Sequence, residues 1–464
     1  MLTELQEFYM KKIFLINALT VSLLSSCLLG PDFMGATPDI PETWVNKMPP
    51  STSEHDLSEW WAAFGDPQLS GLIAMAFDNN PDMVVAALNI ARAESELRSM
   101  GASLYPSGSV GVGGSNGGNF DTSTSHGKWN GSLSLSWRPD VWGQTRRQIE
   151  ASMASLESTV AAAHATRTAL ASSVATSYFE WISAKESLRI AKEQLELQEK
   201  TYDIVKRRYD AGLANGLDLE QSKSTIISTR AQIPGHEANV RSCENALAIL
   251  LGTTVDKVKL TMPAGATYNK IPVVPTGLPS EMLRRRPDVI QAECNLHRAT
   301  ANVGVAVADL FPSISLSGSA SAGSGSDFAH FFSTAGWSLV GNASQTIFNR
   351  TSLNEAVNIA EIAASSAGQS YRKTVLGAFA EVEDCLILYA RLTSQLPQYE
   401  QAVDSGKKAA DLAMRQYQAG KTDFLNVASA QRSLLSAELN VISTRQQIRM
   451  ALSRLCTALG GGWK

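Results

Sequence analysis

Cysteine is almost absent from this chain: Cys27, Cys243, Cys294, Cys385 and Cys456 are the only five in 464 residues. The last four stand singly in helical pattern, which excludes a disulfide framework or a zinc site and suits small buried hydrophobes. The six histidines are equally scattered, so neither a metal nor any other cofactor is expected. Charge is sparse too. Charged residues make up 18% and the net charge is −4, with a pI near 6.0, which gives no electrostatic footprint for nucleic acid. Beyond residue 27 no run of ~18 apolar residues occurs, which excludes a membrane-spanning helix. There is no GxSxG elbow, P-loop or HExxH, and "GVGGSNGG" from Gly111 misses the GxGxxG spacing, so no enzyme is expected.

What is present begins at the N-terminus. Lys11 and Lys12 precede "IFLINALTVSLLSS" and then Cys27. A charged start and a short apolar run make a signal peptide over residues 1–26, with translation expected from Met10. The ending Leu24-Ser25-Ser26-Cys27 resembles a bacterial lipobox, whose cysteine is lipidated and becomes the first mature residue. Leu28 follows it rather than the aspartate that retains lipoproteins at the inner membrane, so anchoring in the outer-membrane lipid is implied.

The chain then repeats itself. "PDMVVAALNIARAESELRSMGASLYPSGS" from Pro81 matches "PDVIQAECNLHRATANVGVAVADLFPSIS" from Pro287 at a constant offset of 206 residues. "RRYDAG" ending at Gly212 returns as "RQYQAG" ending at Gly420, now at an offset of 208. A unit of about 170 residues is too long for a solenoid repeat and reads as an internal duplication.

Each copy runs helix, two alternating strands, a very long helix, a tight turn and a helix back. Residues 144–211 contain neither glycine nor proline, and an unbroken helix of that length would reach ~100 Å. The second copy carries Pro397, where a bend or break is expected. Leu188, Ala191, Leu195, Gln198, Tyr202, Val205 and Tyr209 step by three and four, with Ile190, Leu197 and Ile204 in a second line beside them. Two seams imply a neighbour on each flank, as in a curved palisade of helices, whereas a lone coiled-coil hairpin needs one.

The strands alternate strictly. Serine occupies every second position from Ser313 to Ser321, and Trp129, Leu133, Leu135 and Trp137 alternate with Asn130, Ser132, Ser134 and Ser136. Val110 and Val112 alternate with Ser109, Gly111 and Gly113; Trp337, Leu339, Gly341 and Ala343 alternate with Ser338, Asn342 and Ser344. These form two hairpins of roughly ten-residue strands, the length that crosses a bilayer as tilted β-structure. Trp129, Trp137, Trp142, Phe311, Trp337 and Phe348 cluster at their ends as an interfacial girdle. Four strands cannot close, because an open edge in lipid leaves backbone groups unsatisfied. Eight would be filled by side chains, so a water-filled duct needs at least three chains.

"WWAAFGDPQLSGLIAMAFDNNPD" from Trp60, "LPSEMLRRRPDV" from Leu278, "LFPSISLSGS" from Leu310, "AEVEDCL" from Ala380 and "ALGGGW" from Ala458 resemble the outer-membrane factor family. These are the TolC-like exit ducts of tripartite efflux pumps, here in their lipoprotein (NodT-type) branch. The resemblance implies an α+β membrane protein, a homotrimer whose 12-stranded outer-membrane β-barrel (four strands per chain) continues into a long periplasmic α-helical barrel. It implies a periplasmic adaptor on the helical tips, an inner-membrane RND transporter behind it, and passive conduction of small toxic compounds or drugs. Type I secretion of proteins is the alternative within the family, and a periplasmic coiled-coil adaptor the alternative outside it. The expected division is a lipidated N-terminal and equatorial segment at 27–80, repeat 1 at 81–252, a linker at 253–278, repeat 2 at 279–460 and a tail at 461–464. Hairpins fall at 106–138 and 312–346, and tips at 211–216 and 419–424.

The resemblance also assigns residues. Ala211-Gly212-Leu213 and Ala419-Gly420-Lys421 become the tip turns that meet the adaptor, although the same glycines would serve as plain helix caps. Asp218 and Tyr417 match a pair that latches neighbouring helices across a closed aperture. Leu425 matches a constriction leucine, but Asn426 and Ser429 stand where similar proteins carry aspartates, and Asp423 is the only acid nearby. The expectation is a gate held by packing and amide hydrogen bonds, with weak cation block.

Overall fold

The computed structural model describes residues 28–35, 43–46, 57–119, 124–263, 284–324 and 334–463, together with positions 41, 271, 272 and 332. Cys27 and the signal segment lie outside them. A 3₁₀ helix, Leu57–Phe64, opens the well-described chain. It leads to α1 (Pro67–Asn79), α2 (Pro81–Ala102), strands β1 (Ser107–Asn119) and β2 (Thr124–Trp137), α3 (Gln144–Asp210) and α4 (Gly216–Leu250). The order then returns as α5 (Pro287–Ala308), β3 (Ser313–Ser324), β4 (Gly336–Ser344), α6 (Arg350–Gln418) and α7 (Phe424–Ala458).

The repeated Pro-Asp pair is a helix start. Pro81 and Pro287 open α2 and α5, each of 22 residues, because a first-turn proline loses no intrahelical bond and a first-turn aspartate meets the positive end of the helix dipole. At the far end of each repeat a glycine in left-handed conformation closes the return helix, Gly252 at φ +62° and Gly460 at φ +82°. A methyl group on Gly252 would lie 2.2 Å from the Asn79 carbonyl oxygen, and one on Gly460 would lie 2.7 Å from Arg285. Each turn thus seats against the residues just ahead of the Pro-Asp helix in its own half.

The described chain divides into two compact units, and the division cuts across the duplication. One unit takes residues 28–35, 88–160 and 291–373; the other takes its described residues from 41–87, 161–290 and 374–463. Each draws on both copies, and α3 and α6 contribute to both.

In the first unit the strands form one antiparallel sheet in the order β1-β2-β3-β4. Register assigns each face. Ser109, Ser134, Ser319 and Ser338 lie opposite one another across all four strands, and the Ser319 and Ser338 hydroxyls bond at 2.9 Å. The other face carries Val110, Val112, Leu133, Leu135, Leu316, Trp337 and Leu339, all exposed, with Val112 77% and Trp337 83% so. Val340 is the one large apolar residue on the serine face, opposite Ser317. Trp142 departs from the expected girdle. It is half-buried, donates from Nε1 to the Pro312 carbonyl at 2.7 Å and packs on Phe311, so it braces the strand bases. No described helix is long and apolar enough to cross a membrane.

In the second unit α3 packs against two partners, matching the two flanks implied by its seams. It meets α4 through Lys192–Glu237 and Arg230–Glu199, and α7 through Gln431 on Thr201 and Ser172 on Ser453. The buried line is Ile190, Ala191, Gln194, Gln198, Thr201 and Val205, whereas Leu197 is exposed. The buried stripe is therefore partly polar and shifted from the expected seams, because interhelical bonds such as Gln431–Thr201 let polar residues enter it. Pro397 breaks nothing: α6 runs from Arg350 to Gln418. The helix loses one amide donor there, a cost of ~3 kcal/mol, while buried Leu392 and Leu396 hold the preceding turns. Pro234 lies inside α4 in the same way.

An aromatic core of Trp60, Trp61, Phe64, Tyr178, Phe179 and Trp181 anchors this unit. Asp66 caps α1, accepting from Gln68 N at 2.9 Å, and takes the Tyr178 hydroxyl at 2.8 Å. Arg286 of the "RRRPDV" motif bonds Asp288 at 2.7 Å, Glu381 at 2.9 Å and the Ala458 carbonyl at 2.8 Å. It ties the start of α5 to the end of α7.

The glycine turns give a graded expectation. Gly252→Ala places a methyl into backbone and strains φ, and should destabilise the second unit by ~1–3 kcal/mol. Gly212→Ala, with φ +72° but nothing within 4 Å of the added methyl, should cost ~1 kcal/mol. Thermal unfolding of the detergent-solubilised protein measures the difference.

Candidate functional site: the paired helical tips

Both tips are built alike. In the first, Gly212 N donates to the Tyr209 carbonyl at 2.9 Å and Leu213 N to the Arg208 carbonyl at 2.7 Å; in the second, Gly420 N reaches Tyr417 at 3.0 Å and Lys421 N reaches Gln416 at 2.9 Å. Gly212 and Gly420 take φ of +72° and +71°, which a glycine adopts without steric cost and which satisfies the last carbonyls of each long helix. The return helices start differently. Asn215 caps α4, accepting from Asp218 N at 2.8 Å, whereas Asp423 holds the cap position of α7 without a side-chain bond.

Tyr417 is the hub. It is buried with Val205, Phe424 and Val427, stacks edge-on against Phe424, and donates its hydroxyl to Asp218 Oδ2 at 3.2 Å. Burial, reinforced by the neighbouring Asp218 carboxylate and opposed by Arg208, pushes its phenol up to about 12. It therefore stays protonated, and a donor, throughout the physiological pH range. The repeat-1 counterpart, Tyr209, is exposed.

Leu425, Asn426 and Ser429 share the exposed face of α7, opposite buried Phe424, Val427 and Gln431, as the three- and four-residue helical spacing requires. The Asn426 amide is held within the chain, donating to Thr422 Oγ1 at 2.7 Å. Asp423 is exposed, as are Ala211, Gly212, Leu213, Ala419, Gly420 and Lys421. The geometry thus joins Asp218 with Tyr417 and aligns Leu425, Asn426 and Ser429, but draws Asp423 into neither group. Val205 and Phe424 are not among the tip residues that the resemblance assigns. Val205 lay on the expected seam, and Phe424 follows the helix start by no distinctive signal.

A second built feature lies in the first unit, immediately after Cys27. Arg147 is buried and donates to the carbonyls of Leu29 at 3.0 Å and Gly30 at 3.3 Å. It also pairs with Asp32 at 2.7 Å and Glu150 at 2.7 Å. Burial alone would lower its pKa; the bonds to Asp32 and Glu150 outweigh that and hold it above its ordinary value. Phe33 stacks on His297, with ring centroids 4.6 Å apart. Residues 29–33 are thus clasped against α3 and α5.

The outer membrane efflux protein family model matches residues 72–253 and 278–461. The chain belongs to this family. It is 31% identical over 465 residues to the probable outer membrane lipoprotein SilC of Salmonella typhimurium, covering 98% of this chain and 100% of that protein. It is 32% identical over 463 residues to the pyoverdine export outer membrane protein OpmQ of Pseudomonas putida, covering 96% of each. The solved channel CusC superposes with a TM-score of 0.84 at 30% identity, covering 94% of this chain and 100% of that one. The protein is an outer-membrane efflux channel subunit and not an enzyme. Its fold is that of the trimeric outer-membrane channels, with four strands from each chain.

Tyr417→Phe should keep the hydrophobic cluster and lose one hydrogen bond, at ~1 kcal/mol. Tyr417→Ala should open a cavity costing ~3–5 kcal/mol. Hydrogen exchange at residues 216–222 and 417–427 measures both, with modest acceleration in the first variant and loss of protection in the second.

Proposed function

We propose that the channel is the exit duct of a tripartite pump, docked through its tips to a periplasmic adaptor and, through that, to an RND-type inner-membrane transporter. The observation that carries the reading is a sheet with a serine face, a bare apolar face and, among the described residues, no strand beyond β1 or β4. Three copies complete it as a twelve-stranded barrel whose hydroxyl-lined lumen stays wet and wide. Such a lumen makes few specific contacts, so the cargo is small molecules selected by the transporter. The tips form the gate: Tyr417–Asp218 holds the two hairpins of each copy together, and Leu425, Asn426 and Ser429 face the aperture. Ala211–Leu213 and Ala419–Lys421 meet the adaptor. Cys27 carries the lipid, and the Arg147 clasp fixes the segment behind it.

Co-expression with the cognate adaptor and transporter, in cells lacking their own exit duct, should restore tolerance to a pump substrate. Restoration without any adaptor would reject the docked arrangement. Cys27→Ser should abolish labelling by radioactive palmitate; retained label would place the lipid elsewhere.

Ion selectivity tests the aperture. With amides and hydroxyls at positions 426 and 429, purified channels in planar bilayers should show weak cation selectivity. Asp423→Asn should leave it unchanged within about twofold. Strong selectivity abolished by that substitution would refute an aperture held by packing and amide bonds.

A further inference from the structure

The two tips are copies of one turn, so positions at which they differ mark work done by one of them alone. At the 208-residue offset Arg207, Tyr209, Ala211 and Gly212 return as Arg415, Tyr417, Ala419 and Gly420. Arg208 does not: its counterpart is Gln416. The same comparison pairs Asp218 with Asn426, so both charged members of the tip contact come from repeat 1.

Arg208 uses both terminal nitrogens of its fork. Nη1 donates to the carbonyl of Gln418, the last residue of α6. Nη2 donates to the carbonyl of Leu213 in the first tip at 3.2 Å. The guanidinium also lies over the Tyr417 ring, 5.1 Å from its centroid. One planar cation therefore touches both turns and the ring that bonds Asp218. Carbonyls at helix C-termini lack intrahelical donors and carry the negative end of the dipole, which favours a cation there. Arginine can hold two carbonyls and an aromatic face at once; lysine presents a point charge on a flexible stem and cannot.

We propose that Arg208 is the positioning residue of the latch, pinning the second tip to the first within each copy and so setting how readily the periplasmic mouth opens. The inference rests on the reading of the tips as a gate. Tyr417 and Asp218 contribute one hydrogen bond between the hairpins; Arg208 adds one charge-assisted bond across them, to the Gln418 carbonyl, and a guanidinium over the Tyr417 ring, while its bond to Leu213 fixes the first tip itself. Repeat 2 carries Gln416 at the position matching Arg208, and its Arg415 pairs with Asp411 instead, so the contact is made in one direction only.

Single-channel conductance of purified trimers tests it, comparing wild type with Arg208→Gln, Arg208→Lys, Tyr417→Phe and Asp218→Asn. Arg208→Gln installs the repeat-2 residue and should raise the open fraction at least about tenfold. Arg208→Lys keeps the charge and should still open the channel, and it decides the matter if the glutamine variant does not assemble. Heat dissociation of the trimers should not change, since the contact lies within one chain; a fall matching the rise in conductance would mean a general structural role and overturn the proposal. Wild-type conductance in either Arg208 variant, with Tyr417→Phe or Asp218→Asn opening the channel, overturns the inference and leaves the gate standing. Wild-type conductance in all four removes the gate reading, and the inference with it.

Discussion

Hydrocarbon offers no partner for a backbone amide, and that constraint governs this chain. Each chain supplies four strands paired in the order β1-β2-β3-β4, with β1 and β4 as outer edges that no other described strand covers. The alternation follows from it: a lipid-facing side of valine, leucine and tryptophan, and an inner side of small hydroxyls. Tryptophan near the strand ends adds a ring suited to the polar boundary.

The helical part answers a different demand. A helix of 67 residues has no single core to bury against, so α3 satisfies itself laterally, against α4 on one flank and α7 on another. Its buried stripe includes the polar Gln194, Gln198 and Thr201, of which Thr201 accepts a cross-helix hydrogen bond from Gln431. Fixed points are few and strong. Arg286 ties α5 to α7, Asp66 ties the start of α1 to Tyr178, and Tyr417 closes the far end.

Much of this was legible in the residues. The Pro-Asp pair foretold where two helices start, the serine alternation foretold both faces of the sheet, and the paired glycines foretold both tips. These signals are local: each rests on spacing or on a backbone angle. What escaped depends on tertiary partners. Pro397 reads as a breaker, yet a long packed helix absorbs one missing bond. Trp142 resembles its girdle neighbours in sequence, and only the fold shows it half-buried against Phe311 with its indole on the Pro312 carbonyl. Arg147 and Arg208 look like two surface cations among many until the carbonyls they collect are seen. Leu425, Asn426 and Ser429 sit on one face of α7 as helical spacing demands, but spacing says nothing of what another copy sets opposite them.

The division into compact units has a consequence for biogenesis. Each unit is assembled from segments far apart in the chain, and each needs strands or helices from both copies of the duplication. The first half emerging into the periplasm therefore cannot complete either unit by itself. Its alternating strands must wait, unpaired on one side, until β3 arrives almost two hundred residues after β2. Such high contact order slows folding and lengthens exposure of sticky strand edges. With this wiring neither unit can reach its final form before the second copy of the duplication has been exported.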